Sequence, residues 1–301
     1  MEDKQIGVPT NVAVFIDYEN VYKALLEEKT NVLRLAFFEK LRKWCSEHQR
    51  RVVRIVVYCN FDNMDLHANG YGIDLHYVNK IIKEQKPDAI LIAGDMFNKY
   101  DDRNITDTSN FLCALANHYP VFYSLGNHEY KMLLVPERYG MYFPALYRYL
   151  MNNGICFLED ETVYLDKGTE RIALSGVSID EVFYNFNHPV MGSGLMEKHL
   201  GVADRKMFNL LLAHNPEYFI NYAKWGADLT LSGHVHGGIV RIGKAGVLST
   251  NGTPFPKYDG NIYMSKSGKK MIVSRGMGTH TVKVRINNRP ELVIVKILAK
   301  K

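Results

Sequence analysis

Five short polar clusters in this sequence carry the residue types of metal-assisted hydrolysis: Asp65-Leu66-His67, Gly94-Asp95-Met96-Phe97-Asn98, Gly126-Asn127-His128-Glu129, His214-Asn215 and Gly233-His234-Val235-His236-Gly237-Gly238. Four of them directly follow or end an apolar, β-type run. Carboxylates, an amide and imidazoles are mixed oxygen and nitrogen ligands, which suit Mn, Fe, Zn or Ni rather than calcium. The set therefore reads as a binuclear metal site. Two divalent ions about 3.5–4 Å apart can share a bridging carboxylate and a bridging hydroxide, lower the pKa of that water and clamp a phosphoryl group for in-line attack. One short carboxylate has to bridge, and Asp95 is the natural candidate. Neutral imidazoles are then required on both ions, and a further imidazole near the leaving group can donate a proton or stabilise charge.

Each cluster also has a plain structural reading. A Gly-Asp pair after a strand is usually a turn, and a lone His214 is more often a satisfied core histidine than a ligand. His234 and His236 alternate as residues of a strand do, which would place both rings on one side, with flanking glycines that permit close backbone approach. The chemical reading rests on the ordered set.

The elements that must position these clusters follow from periodicity. Val12 to Ile16 reads as a short buried strand ending at Asp17, followed by helical spacing over 20–28 and at Leu33, Phe37, Leu41 and Trp44. A β-branched run from Val52 to Val57 then completes a βαβ opening. Leu75, Val78, Ile81 and Ile82 predict a helix over 74–84, stopped by Pro87 ahead of a strand over 89–93. Further strands are predicted at 121–125 and 210–213, each running into residues rich in His, Asn and Gly. Alternation of strand and helix puts working loops at strand C-terminal ends. Beyond Gly237 the chain turns β-rich, with alternating stretches at 271–274, 281–286 and 292–297.

Composition sets outer bounds. With 301 residues, 47% of them hydrophobic and 23% charged, the chain can bury a large core, which excludes disordered and collagen-like classes. Thirty-seven basic against thirty-two acidic residues leave +5, compatible with an anionic substrate without requiring one. The four cysteines, Cys45, Cys59, Cys113 and Cys156, form no C-x-x-C pair. That argues against a disulfide framework or thiolate zinc and suits a reducing cytoplasm. Met1 to Thr10 is polar and no apolar run reaches about eighteen residues, so neither a signal peptide nor a membrane span is expected.

The order D-x-H, G-D-x-x-N, G-N-H-E, H-N-P and G-H-x-H-G-G resembles the calcineurin-like metallophosphoesterase family. The stretches Phe255-Pro256-Lys257-Tyr258, Val273-Ser274-Arg275-Gly276 and Asn287-Asn288-Arg289-Pro290-Glu291 resemble its bacterial branch, whose members are often membrane-anchored. The resemblance covers 65–301. It implies a four-layer αββα sandwich of two mixed sheets with metals at the strand ends, here with an N-terminal βα extension. It implies Asp65, His67, Asp95 and His236 on one ion and Asp95, Asn127, His214 and His234 on the other. His128 would sit beside the phosphate as general acid or charge stabiliser, with Glu129 supporting the ligands. The implied activity is hydrolysis of a phosphomonoester or phosphodiester substrate by a hydroxide bridging two divalent cations.

In that family D-x-H follows the first strand almost at once, whereas here Asn60-Phe61-Asp62-Asn63-Met64 intervenes, making Asp62 a rival ligand. Residues 1–64 resemble a truncated NYN (PIN-like) nuclease domain through Val14-Phe15-Ile16-Asp17-Tyr18-Glu19-Asn20-Val21 and Val57-Tyr58-Cys59-Asn60-Phe61-Asp62. Later acidic motifs of that domain have no match here. The alternatives to a phosphoesterase are therefore an NYN-like RNA-binding or RNA-cleaving protein and a phosphoesterase-fold scaffold with a broken first metal site. Nucleic acid enters as a partner only through the first of these, and no pattern specifies an oligomeric state. Substrate specificity is expected in 99–108 and 182–204. Tyr184, Phe186 and His188 either line the cleft or pack inside, and Lys131 and Arg138 either steer an anion or are solvated.

Overall fold

A computed structural model describes residues 11–12, 51–52, 75–98, 102–185, 189–238, 240–242, 245–249, 254–278, 285, 288 and 290–298. Of the N-terminal head it describes β1 (Asn11–Val12) and β2 (Arg51–Val52), paired in parallel. The NYN-like stretches, Asp17, Asp62, Asp65, His67 and the junction between head and body lie outside the described residues.

Helix α1 (Leu75–Gln85) buries Val78 and Ile82 as the spacing requires, and the chain leaves it through Lys86 at φ 48° just before Pro87. Strand β3 (Ile90–Ile92) follows, then helix α2 (Asp102–Ala116), strand β4 (Val121–Tyr123), helices α3 (Asn127–Leu134), α4 (Pro136–Tyr139) and α5 (Phe143–Asn152), and strand β5 (Ile155–Phe157). Strands β3, β4 and β5 form a three-stranded parallel sheet.

A second, six-stranded sheet contains β6 (Glu161–Lys167), β7 (Glu170–Val177), β8 (Phe208–Ala213), β9 (Leu229–Ser232), β12 (Ile262–Met264) and β13 (Lys270–Val273) in the order β12-β13-β9-β8-β7-β6. Its four inner strands are parallel, and the edge strands β6 and β12 pair antiparallel. Between β9 and β12 lies a small hairpin of β10 (Arg241–Ile242) and β11 (Ala245–Gly246). Helices α6 (Leu195–Leu200) and α7 (Phe219–Trp225) connect strands of the large sheet.

The layering can be read from period-2 alternation in strands buried on both faces. Ile90, Ile92, Val121 and Tyr123 point into a cluster with Phe111, Leu112, Leu115, Phe143 and Leu150 of the covering helices. Their neighbours Leu91 and Ala93 point the other way and meet Leu210, Leu212, Leu229 and Leu231 between the two sheets. On the far side of the large sheet, Val177, Leu211 and Ala213 pack against Met196 of α6 and Tyr222 and Trp225 of α7. The result is helix, sheet, sheet, helix, the expected four-layer α/β sandwich.

The stretch 292–297 differs from expectation. It belongs to no assigned strand, and 281–286 is described only at Arg285. Leu292 and Ile294 nonetheless pack with the helix-side cluster, and Val293, Val295 and Ile297 with the inter-sheet cluster. Alternating apolar residues specify two buried faces, but a strand also needs a ladder partner, which the described residues do not supply. Among the described residues, no helix is long and apolar enough to cross a membrane.

Candidate metal centre

The ends of β3, β4, β8 and β9 bring four of the five polar clusters to one edge of the sandwich. After β3 the chain enters the left-handed region at Gly94 (φ 92°) and Asp95 (φ 58°). A Cβ on Gly94 would lie 2.5 Å from the backbone of Gly126 and 2.7 Å from His214 Nδ1. One on Gly126 would lie 2.1 Å from Asp95 Oδ1. The Gly-Asp and Gly-Asn motifs thus touch backbone to backbone, which glycine alone permits. His128 N donates to Asp95 Oδ1 at 3.1 Å, tying the start of α3 to the acid.

Glu129 organises this half of the site. It is fully buried and accepts from Asp95 N (2.9 Å), Phe97 N (3.0 Å), Gly126 N (3.1 Å) and the Tyr123 hydroxyl. One carboxylate therefore satisfies amides of both loops. Burial, reinforced by the charge of Asp95, pushes its pKa up to about 7 against the pull of the Tyr123 and Phe97 donors. Burial acts on Asp95 in the same direction, but the imidazoles of His214, His128 and His234 prevail and hold that carboxyl well below the usual range.

His214, 1% exposed, places Nδ1 2.5 Å from the Ala93 carbonyl, and its Nε2 lies 2.8 Å from Asp95 Oδ2. With the Nδ1 proton donated to a carbonyl, Nε2 is the nitrogen left to face the acid. The Nε2–Oδ2 approach is that of an ion pair when the ring is protonated. An imidazole nitrogen and a carboxylate oxygen this close are a donor pair that one cation can take up together. Burial lowers the His214 pKa, but Asp95 outweighs it and raises the net value.

His234 completes the group. Asp95, His214 and His234 each offer a ligand atom, all within 4.8 Å of one another. The His214 and His234 rings are 5.2 Å apart, and the Tyr184 ring stands edge-on to His234 at 5.1 Å. Asn127 Oδ1 is buried with no hydrogen-bond partner among the described residues, an orphan that a cation would satisfy. Donor set and orphan together fit a divalent metal.

Strand-like alternation of His234 and His236 is not what the structure shows. The two residues lie beyond β9 in a turn, both left-handed, at φ 68° and 52°. Such non-glycine conformations cost roughly 1–3 kcal/mol each and persist only where the surroundings enforce them. His236 is buried on this loop but lies outside the group of three ligand atoms.

Of the expected site residues, Asp95, His214 and His234 converge, Asn127 and His128 sit at the adjoining helix start, and His236 lies on the same loop as His234. Tyr184, for which cleft and core were both open, lies against the histidine rings. Phe186 and His188 fall outside the described residues. Lys131 pairs with Glu181 at 2.9 Å, and Arg138 lies over the neutral Tyr139 ring at 5.2 Å and keeps its charge. Sequence reasoning missed Arg241 and Asn288, which bond carbonyls of the histidine loop. The only signal was the Asn287-Asn288-Arg289-Pro290-Glu291 stretch, quoted without a role.

Sequence comparison agrees with this geometry. Relatives include the uncharacterized metallophosphoesterase YkuE of Bacillus subtilis, 27% identical over 234 residues, 76% of this chain and 75% of that protein. The phosphodiesterase YaeI of Escherichia coli is 26% identical over 248 residues, covering 78% of this chain and 80% of its own. The UDP-2,3-diacylglucosamine pyrophosphatase LpxG of Chlamydia muridarum is 22% identical over 310 residues, covering 85% and 86%. The profile of calcineurin-like phosphoesterases matches residues 65–238, a span that begins at Asp65 and holds all five polar clusters. The chain belongs to the calcineurin-like phosphoesterase family and is a metallophosphoesterase, a hydrolase.

Proposed function

We propose that the chain hydrolyses a phosphodiester or phosphomonoester at a two-cation centre in a body spanning 65–301, with residues 1–64 as a separate head. The observation that carries this reading is the convergence of Asp95, His214 and His234 from three separate strand ends, their ligand atoms within 4.8 Å. Asp95 would be shared between the ions, with Asn127, His214 and His234 on one and Asp65, His67 and His236 on the other. When bound, divalent ions such as Mn lower the pKa of a water and neutralise phosphoryl charge.

The chain's own residues do the rest. The low pKa of Asp95 keeps it an anion at neutral pH, ready to act as a ligand. His214, its Nδ1 held by the Ala93 carbonyl, presents Nε2 without needing to reorient. His128, half-buried at the start of α3 and fixed through its backbone amide to Asp95, would donate a proton to the leaving oxygen or stabilise charge on the phosphoryl group. Relatives named as a phosphodiesterase and a pyrophosphatase favour a diester or anhydride link over a monoester.

The test is turnover of an aryl phosphate monoester and an aryl phosphate diester with added Mn by the native chain, Asp95→Asn and His234→Ala. Diester cleavage lost in both variants is expected. Undiminished turnover in both would refute the reading.

A further inference from the structure

Behind the histidine loop stand two side chains, Arg241 just downstream in the chain and Asn288 52 residues beyond His236. His236, Gly237 and Gly238 are three successive left-handed residues, with φ of 52°, 74° and 76°. A run of that shape continues neither a helix nor a strand, so its carbonyls must find donors elsewhere. Asn288 Nδ2 donates to His236 O at 2.5 Å and also to Gly238 O. Arg241 Nη1 donates to Gly237 O at 2.6 Å. All three consecutive carbonyls are thus met by two side chains, Asn288 at 2% and Arg241 at 4% exposure.

The donors are anchored in turn. Arg241 Nη1 also bonds Asp259 O at 3.1 Å and lies 3.3 Å from Asp259 Oδ2. Close to Asn288 in the chain, Glu291 accepts from Arg275 N, Nε and Nη2 at 2.7, 2.8 and 2.6 Å. Gly237 fits against Asn288 and Arg275 only without a side chain, since a Cβ there would lie 2.4 Å from Asn288 Oδ1 and 2.5 Å from Arg275 Cγ.

We propose that Asn288 and Arg241 are positioning residues of the metal centre, which hold the left-handed run His236–Gly238 and so fix how His234 and His236 present their rings. This rests on the metal-centre reading above. Neither residue is placed to touch substrate; each acts through the backbone of the ligand loop. Removing the donors frees the carbonyls to turn towards water and lets His236 relax out of its unfavourable φ.

The experiment uses the full chain and four variants. Asn288→Asp keeps the volume and loses both N–H donors, Asn288→Ala removes the side chain, and Arg241→Lys keeps a cation with fewer donors. Leu150→Ala, a buried α5 residue of the helix-side core, reports generic destabilisation. Two readouts are taken: manganese bound per chain across a metal titration, and hydrogen exchange of the Val235 and Gly238 amides in metal-free protein.

Loss of an outer support to a metal ligand typically costs about 10–100-fold in affinity, and that loss is expected for both Asn288 variants, with less for Arg241→Lys. Exchange in the loop should accelerate in the same variants, and Leu150→Ala should change neither readout. Native manganese affinity in both Asn288 variants would overturn the positioning role, as would a loss matched by Leu150→Ala. Unchanged loop exchange would remove the brace irrespective of metal. A native chain that takes up no manganese would instead sink the functional reading, so the two failures are distinguishable.

Discussion

The two halves of the centre are built by different means. Around Asp95 and Asn127 the parts are close in space because two glycine turns interlock and one internal acid, Glu129, gathers the surrounding amides. Around His234 and His236 the loop adopts a conformation its residues do not favour, and Arg241 and Asn288 hold it from outside. The first half is assembled within its own motifs. The second borrows part of its shape, which teaches that two histidines can be local in sequence while the backbone between and beyond them is held by a residue as distant as Asn288.

The largest expected effect falls on Asp95, the acid proposed to be shared. Asp95→Asn should lower turnover by more than the roughly 10–100-fold typical of lost outer supports, because it removes ligand charge rather than orientation. Steady-state kinetics at saturating manganese will measure this; a loss below tenfold would mean Asp95 is not shared. Gly126→Ala comes next and addresses the interlocked half alone. Its Cβ must displace the Asp95 carboxylate, and a shift of about 1 Å in a working group costs on the order of 100-fold. Native kcat in that variant would show that the close approach of the glycines is not needed.

Proton competition gives a third, intermediate effect. Because His214 holds its proton above the ordinary histidine pKa, a cation must displace it. Manganese affinity should therefore rise with pH, by roughly tenfold per unit for each proton displaced, and level off once His214 is neutral. Titration between pH 5.5 and 8.5 tests the sign, and a flat profile would indicate that His214 is not a ligand.

Glu129→Gln keeps the shape but sets an amide donor against backbone donors. Leaving buried donors unmet costs about 1–3 kcal/mol each, so the metal-free Tm should fall by several degrees. An equal Tm would show that the interlocked half does not depend on this acid. Smallest is Tyr184→Ala, which strips the wall beside His234. A few-fold rise in KM with kcat nearly unchanged is expected, and Tyr184→Phe should match the native chain, since the ring makes the contact.

Much of this was legible in the sequence. Strands over 90–92, 121–123 and 208–213 follow from their apolar runs, and the clusters that end them followed from residue type. Legibility stopped where a residue's meaning depends on what it meets. His234 and His236 have the spacing of a strand, but a strand needs a ladder, and beyond Ser232 the chain turns into left-handed backbone instead. Residues 292–297 have strand alternation and two buried faces without an assigned ladder. For Lys131 and Arg138 steering and solvation were both open, and their neighbours, Glu181 and the Tyr139 ring, are visible only in the structure.

The sequence by itself determined the family, the layered α/β class and the chemical nature of the candidate ligands, because apolar periodicity and side-chain type are local properties written residue by residue. Only the tertiary structure decided that His214 Nε2 faces Asp95, that Glu129 binds two loops at once and that Asn288 underpins the histidine turn. Those are angles and distances between atoms up to 121 residues apart, as in the His214–Ala93 bond, and contacts of that kind exist only once the chain has closed on itself.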